Sequence, residues 1–142
     1  MADAPTTEAG APAREIEPGL VVRQPDGAAA LMGARCETCG AHALRLLPVC
    51  AVCWAEGSLR PQPLSRRGRV ASAFVARTAP PGFTAPYAFA LIDLPEGLRV
   101  LMRVEAGDGG PIAIGDEVVV DIGTLGQTET GEPLLGPVFR RR

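Results

Sequence analysis

The four cysteines of this 142-residue chain all fall between positions 36 and 53, in the stretch CETCGAHALRLLPVCAVCW. They form two Cys-x-x-Cys pairs, Cys36/Cys39 and Cys50/Cys53, with ten residues between the pairs. A tight turn carrying thiolates at i and i+3 supplies two corners of a tetrahedron, and a second such turn closes the shell. The spacing therefore predicts one zinc ion held by Cys36, Cys39, Cys50 and Cys53. With four thiolates the coordination is complete, so the metal is expected to be structural, compensating for a module too small to fold on its own core. An iron–sulfur cluster also takes four cysteines and is a rival. A thioredoxin-like redox pair needs one Cys-x-x-Cys in a βαβ setting, and two disulfides need an exporting signal; the chain shows neither. Gly40, directly after Cys39, is expected to let the chain turn under the metal, with Gly57 doing the same after the second pair. His42, the only histidine, is read as exposed or hydrogen-bonded rather than as a ligand, and Trp54, the only tryptophan, as a shield over the site.

Little else has the makings of catalysis. A nucleophile needs a base within reach. The cysteines are committed to metal, His42 has no evident carboxylate or serine partner, and Ser58, Ser65 and Ser72 sit in no recognisable nucleophile motif. The glycine-rich AGDGG at 106–110 lacks the Lys-Ser/Thr of a phosphate-binding loop and reads as surface.

The elements that must position the cysteines are short. Seventeen glycines and 14 prolines punctuate a chain that is 46% hydrophobic, enough for a packed core, yet only 4% aromatic. Residues 1–18, rich in Ala, Pro, Thr and Glu, read as a disordered tail without the basic-then-apolar pattern of a secretory signal. Residues 19–57 read as the zinc ribbon with a preceding extended segment or hairpin turning at QPDG, and 58–68, basic and broken by proline, as a linker. From 69 to 142 the pattern changes to five short strands. RVASAFVART, PYAFALIDL, LRVLMRV, EVVVDIGTL and PLLGPVFR are separated by turn signals, with no room for crossover helices. The expected fold is mostly β: an N-terminal rubredoxin-like zinc ribbon followed by a five-stranded OB-fold barrel, with an SH3-like barrel or small sandwich as the alternative. No stretch approaches the ~20 apolar residues of a membrane span, so no membrane association and a cytoplasmic location are expected.

OB folds often bind single-stranded nucleic acid through aromatics and a basic groove. A net charge of −2, the absence of lysine and only six aromatics argue against that partner here. All 14 basic residues are arginine, and the one internal cluster is Arg66, Arg67 and Arg69, where the linker meets the barrel.

The runs RCETCGAHALRLLPVCAVC, SRRGRVASAFVART, APYAFALIDLPEGLRVLMRV and IAIGDEVVVDIG resemble the acyl-CoA-associated family with a rubredoxin-like zinc ribbon and C-terminal OB fold, long catalogued as domain of unknown function thirty-five. The resemblance covers roughly residues 20 to 140. Many members carry an N-terminal helix, whereas GLVVRQPDGAAALMGARC looks extended. In this the chain is similar to members that accompany thiolases, such as the small subunit of benzoylsuccinyl-CoA thiolase. The resemblance implies a non-catalytic accessory subunit in a hetero-oligomer with a thiolase-like catalytic subunit (an acyl-CoA C-acyltransferase or aldolase, with a hotdog hydratase as the other partner class), acting on acyl-CoA and helping to hold the CoA thioester. Arginine forks suit phosphate oxygens, so Arg66, Arg67 and Arg69, with Arg77 further along the strand, become the candidate CoA contacts. A solvated basic linker or ion pairs with the partner are the alternatives, and a free-standing binding module for acyl-CoA or single-stranded nucleic acid is the competing function.

Overall fold

The computed structural model describes residues 13–142; the first twelve residues of the expected tail lie outside the described ones. Among the described residues the regular elements are ten strands and a single 3₁₀ turn, Gly107–Gly109. No helix there is long and apolar enough to cross a membrane.

Five strands close the barrel: β6 (Arg67–Ala76), β7 (Tyr87–Asp93), β8 (Arg99–Glu105), β9 (Glu117–Gln127) and β10 (Pro133–Arg141). Hydrogen bonding runs β6–β7–β8–β10–β9 and back to β6, with β8 and β10 parallel and the other pairs antiparallel. This is the OB topology that the strand count predicts. A bulge in β6 between Val70 and Ser72 bends that strand around the barrel. At Gly68 a Cβ would meet Ile92 Cγ2 at 2.4 Å, so only glycine lets β6 approach the interior here.

Alternation decides what fills the barrel. Ala90 and Ile92 of β7, Val100, Met102 and Val104 of β8, Val118 and Val120 of β9, and Phe139 of β10 are buried. The aromatic side chains of β7 face outward instead. Phe89 stacks on Phe74 across the strand pair at 5.2 Å between ring centroids, and Arg103 lies 4.3 Å over the ring of Tyr87.

The remaining strands are β1 (Arg14–Glu15), β2 (Val21–Arg23), β3 (Ala29–Cys36), β4 (His42–Ala43) and β5 (Leu59–Pro63). β2 and β3 make the hairpin at QPDG, where the Asp26 carboxylate accepts the Ala28 N–H at 3.0 Å. β3 is the spine of the N-terminal half. Its Ala29 and Leu31, with Val21 of β2, join the barrel core, whereas its Ala34 and Cys36 belong to a separate small cluster with Cys50 and Leu59.

Two boundaries differ from expectation. The tail assigned to residues 1–18 is partly ordered: β1 pairs in parallel with Leu134 and Leu135 of β10, and the Ile16 N–H donates to Leu135 O at 2.7 Å. There β10 extends beyond the residues that pair with β8, leaving backbone groups free for β1. The linker assigned to 58–68 is mostly sheet. β5 pairs with β3 from Leu59 to Pro63, Leu64 is buried in the barrel core, and β6 begins at Arg67. Pro61 and Pro63 are tolerated because β5 is an edge strand that pairs only with β3.

Candidate metal centre

β3 delivers Cys36 at its C-terminal end, and the chain then folds into two turns of the same form. In the first, the Cys36 N–H donates to Ala41 O at 2.8 Å and the Gly40 N–H to Cys36 O at 2.9 Å. In the second, the Cys50 N–H donates to Ala55 O at 3.0 Å and the Trp54 N–H to Cys50 O at 3.0 Å. The residue after the second cysteine of each pair takes a left-handed conformation: Gly40 at φ 78° and Trp54 at φ 67°. Glycine adopts this freely, while a residue with a Cβ loses about 1–2 kcal/mol. Gly57 is also left-handed, at φ 63°, but it lies beyond the turn and precedes β5.

The four sulfurs lie within 4.8 Å of one another, with Cys36 Sγ 3.7 Å from Cys53 Sγ and Cys39 Sγ 3.8 Å from Cys50 Sγ. Thiolates at about 2.3 Å around one tetrahedral ion stand about 3.8 Å apart, so the cage fits a single metal ion. It leaves no room for a multi-iron core, in which the cysteines bind separate irons. The separations are also far beyond the ~2.05 Å of a disulfide, and none of the four cysteines is disulfide-bonded.

Hydrogen bonding prepares the cage for a cation. The Cys36 thiol is drawn down to about 5, chiefly by Ser58 and then by the Cys39 amide. The Ser58 hydroxyl sits 3.2 Å from Cys36 Sγ. At Cys50 the amides of Cys53 and Val52 lower the thiol's pKa. At Cys53 the Ala55 amide favours the thiolate, but burial and the neighbouring sulfurs together outweigh it and push the group up to about 12. Without a metal the cage holds some of its protons; a divalent ion displaces them and removes the repulsion.

Cys36 and Cys50 are buried and Cys39 is exposed. His42 lies outside the cage on β4, its Nε2 3.2 Å from Gln62 Nε2. The shielding role expected of Trp54 is not met, for its side chain is 78% exposed. Ser58, set aside in the sequence for want of a nucleophile motif, is the polar support of Cys36; the signal was its place directly before β5, which pairs with the cysteine-bearing strand.

The arginines do not form one cluster. Arg66 is bound at both nitrogens by Asp26, at 2.7 and 3.0 Å, and Arg69 donates to Glu117 at 3.4 Å and Gly115 O at 3.3 Å. Arg67 is exposed and makes no ion pair among the described residues. It lines two clefts, one of about 470 Å³ with Ser65, Arg66 and Pro95, the other of about 350 Å³ with Gly68, Arg69 and Arg142. Arg77 follows the far end of β6, about 30 Å from Arg67 at the rise of an extended strand. One further group at the junction was not foreseen. Glu96 accepts from the Ser65 N–H and hydroxyl through one oxygen, while its other oxygen is buried without a partner.

Comparison with known proteins adds the lineage. Residues 61–122 match the family described as ChsH2, C-terminal OB-fold domain. The chain is 38% identical to benzoylsuccinyl-CoA thiolase subunit BbsA of Thauera aromatica, over 89% of this chain and 87% of that one. It is 36% identical to a DUF35 domain-containing scaffold protein of Methanothermobacter thermautotrophicus, over 62% of this chain and 68% of that one. The chain belongs to the DUF35 family. Among solved structures, the Ltp2–ChsH2(DUF35) aldolase contains a family member that superposes with a TM-score of 0.63 at 31% identity, covering 79% of this chain and 84% of that one.

Proposed function

We propose that this chain is a non-catalytic accessory subunit of a thiolase-type acyl-CoA complex, that its cysteine cage holds one zinc ion, and that its ribbon–barrel junction helps hold the CoA thioester. The observation that carries the first part is the match to BbsA along nearly the full length of both chains. The site chemistry supports it. The thiols are gathered in a metal cage and His42 is paired with Gln62, so the catalytic nucleophile and base fall to the partner. Zinc is supported by the tetrahedral sulfur separations, and CoA contact by Arg67, a fork with no ion pair among the described residues and a cleft on either side. A soluble subunit of such a complex would work in the cytoplasm.

Co-expression with the thiolase-like subunits of the same genome tests the reading. A stoichiometric complex with zinc equimolar to this chain is expected, and activity only when both subunits are present. A lone monomer that binds none of them would overturn it. For CoA, Arg67→Ala should raise the Michaelis constant for the thioester about tenfold with the complex intact, the scale of one lost charged hydrogen bond. An unchanged constant removes CoA from this site. A free-standing binding module draws support from one feature, the outward stack of Phe74 and Phe89 beside Tyr87 and Arg103, and single-stranded oligonucleotide titration tests it directly.

A further inference from the structure

Five of the ten large hydrophobic side chains that stand exposed among the described residues fall within nine consecutive positions. They are Leu46, Leu47, Val49, Val52 and Trp54, at 58, 41, 36, 67 and 78% exposure. The stretch 46–54 contains no charged residue, in a chain that is 21% charged. The equivalent surface of the first turn is polar, with Glu37 paired to Arg60. Zinc binding needs none of these five side chains, and Trp54 keeps a backbone conformation that glycine serves at the matching position 40. A tryptophan held at positive φ in solvent, where glycine would serve without cost, motivates a search for a use of its side chain.

We infer that the second cysteine turn is the face on which the thiolase-type catalytic subunit docks, with Trp54 as its central anchor. This rests on the function proposed above. The face exposes on the order of 500 Å² of apolar side chain, a Trp alone carrying roughly 200 Å², within the ~300–600 Å² of patches that are often functional on monomers. One side of a standard interface buries about 800 Å², so this patch supplies most of what a stable complex requires. Its lack of charge selects an apolar recess on the partner, and tryptophan is the side chain most enriched among interface anchors.

The experiment uses the full chain and the thiolase-type subunit that copurifies with it. Trp54→Gly should keep zinc at one per chain and melt no lower than the parent, since glycine suits the left-handed position, yet bind the catalytic subunit at least thirtyfold more weakly. Binding within threefold of the parent would overturn the inference while leaving the proposed function intact. Should Trp54→Gly lose zinc, Val52→Asn decides: tenfold weaker binding with zinc retained supports the face, and unchanged binding overturns it. Self-association of the isolated chain that Trp54→Gly abolishes would give the face to a second copy and overturn the inference. If the unaltered chain binds no thiolase-type subunit, the proposed function falls and the docking inference with it.

Discussion

The barrel and the ribbon solve the same folding problem by different means. The barrel-centred cluster gathers fifteen buried hydrophobic residues, including Phe139, Ile92 and Val118 at 0% exposure. The ribbon cluster has four, and two of them, Cys36 and Cys50, are cage residues, leaving Ala34 and Leu59. Fixing a residue's backbone costs about 1–2 kcal/mol, and fully burying a leucine returns about 1.5–3 kcal/mol. Two apolar side chains cannot order some twenty residues, and a metal ion in the proposed cage would couple its binding to the folding of the ribbon. Each half is therefore vulnerable at a different point: the ribbon, with the zinc proposed for its cage, to loss of that metal, and the barrel to loss of volume. β3 joins them, its first half in one core and its second half in the other.

The largest effect is expected from metal removal. A strong chelator, or Cys50→Ser, should abolish amide-exchange protection across residues 36–59 while the barrel strands β6 to β10 keep theirs. Simultaneous loss in both regions would mean that the two cores are one cooperative unit. Next in size, Phe139→Ala should cost about 3–5 kcal/mol, read from the denaturant midpoint, with one zinc per chain still bound in the folded protein. A cost below 1 kcal/mol would show that the barrel does not rely on this ring.

The smallest effect concerns the acid limb of the barrel. Asp116 accepts the Ala113 N–H at 2.9 Å and a bond from Arg141 at 3.0 Å, which hold its carboxyl below the usual range. A depressed folded pKa contributes stability above the unfolded value of about 4, and that contribution is lost as pH falls through the folded value. Asp116→Asn should therefore be less stable than the parent at pH 7, with the gap narrowing as the pH falls below about 4. A gap that stays constant to pH 2 would remove this carboxylate from the barrel's pH response.

Local patterns made much of this molecule legible in advance. The cage was readable because its four cysteines lie within eighteen residues and each turn is made by its own pair. The β7–β8 hairpin was readable from LPEG between alternating runs, and Leu94 N–H duly donates to Leu98 O at 2.8 Å. Proline misled at 58–68, because a proline that would break an inner strand does no harm on an edge, and edge position is not a local property.

By itself, then, the sequence determined the paired cysteine turns and the five strands from 69 onward, since these follow from spacing and alternation over a few residues, while closure into a barrel rather than a sandwich was decided by the pairing of β9 with β6 and β10. Only the tertiary structure decided which side of β7 faces inward. Tyr87, Phe89 and Leu91 alternate with Ala88, Ala90 and Ile92, so both faces read as apolar. The narrow barrel admits the smaller set and turns the aromatics out. It also decided which arginines remain available, because Arg66 is bound by Asp26 forty positions earlier in the chain and Arg69 by Glu117 forty-eight positions later. And it placed Trp54 in solvent rather than over the sulfur cage, because the turn that carries Cys50 and Cys53 sets the direction of that side chain, whatever its hydrophobicity.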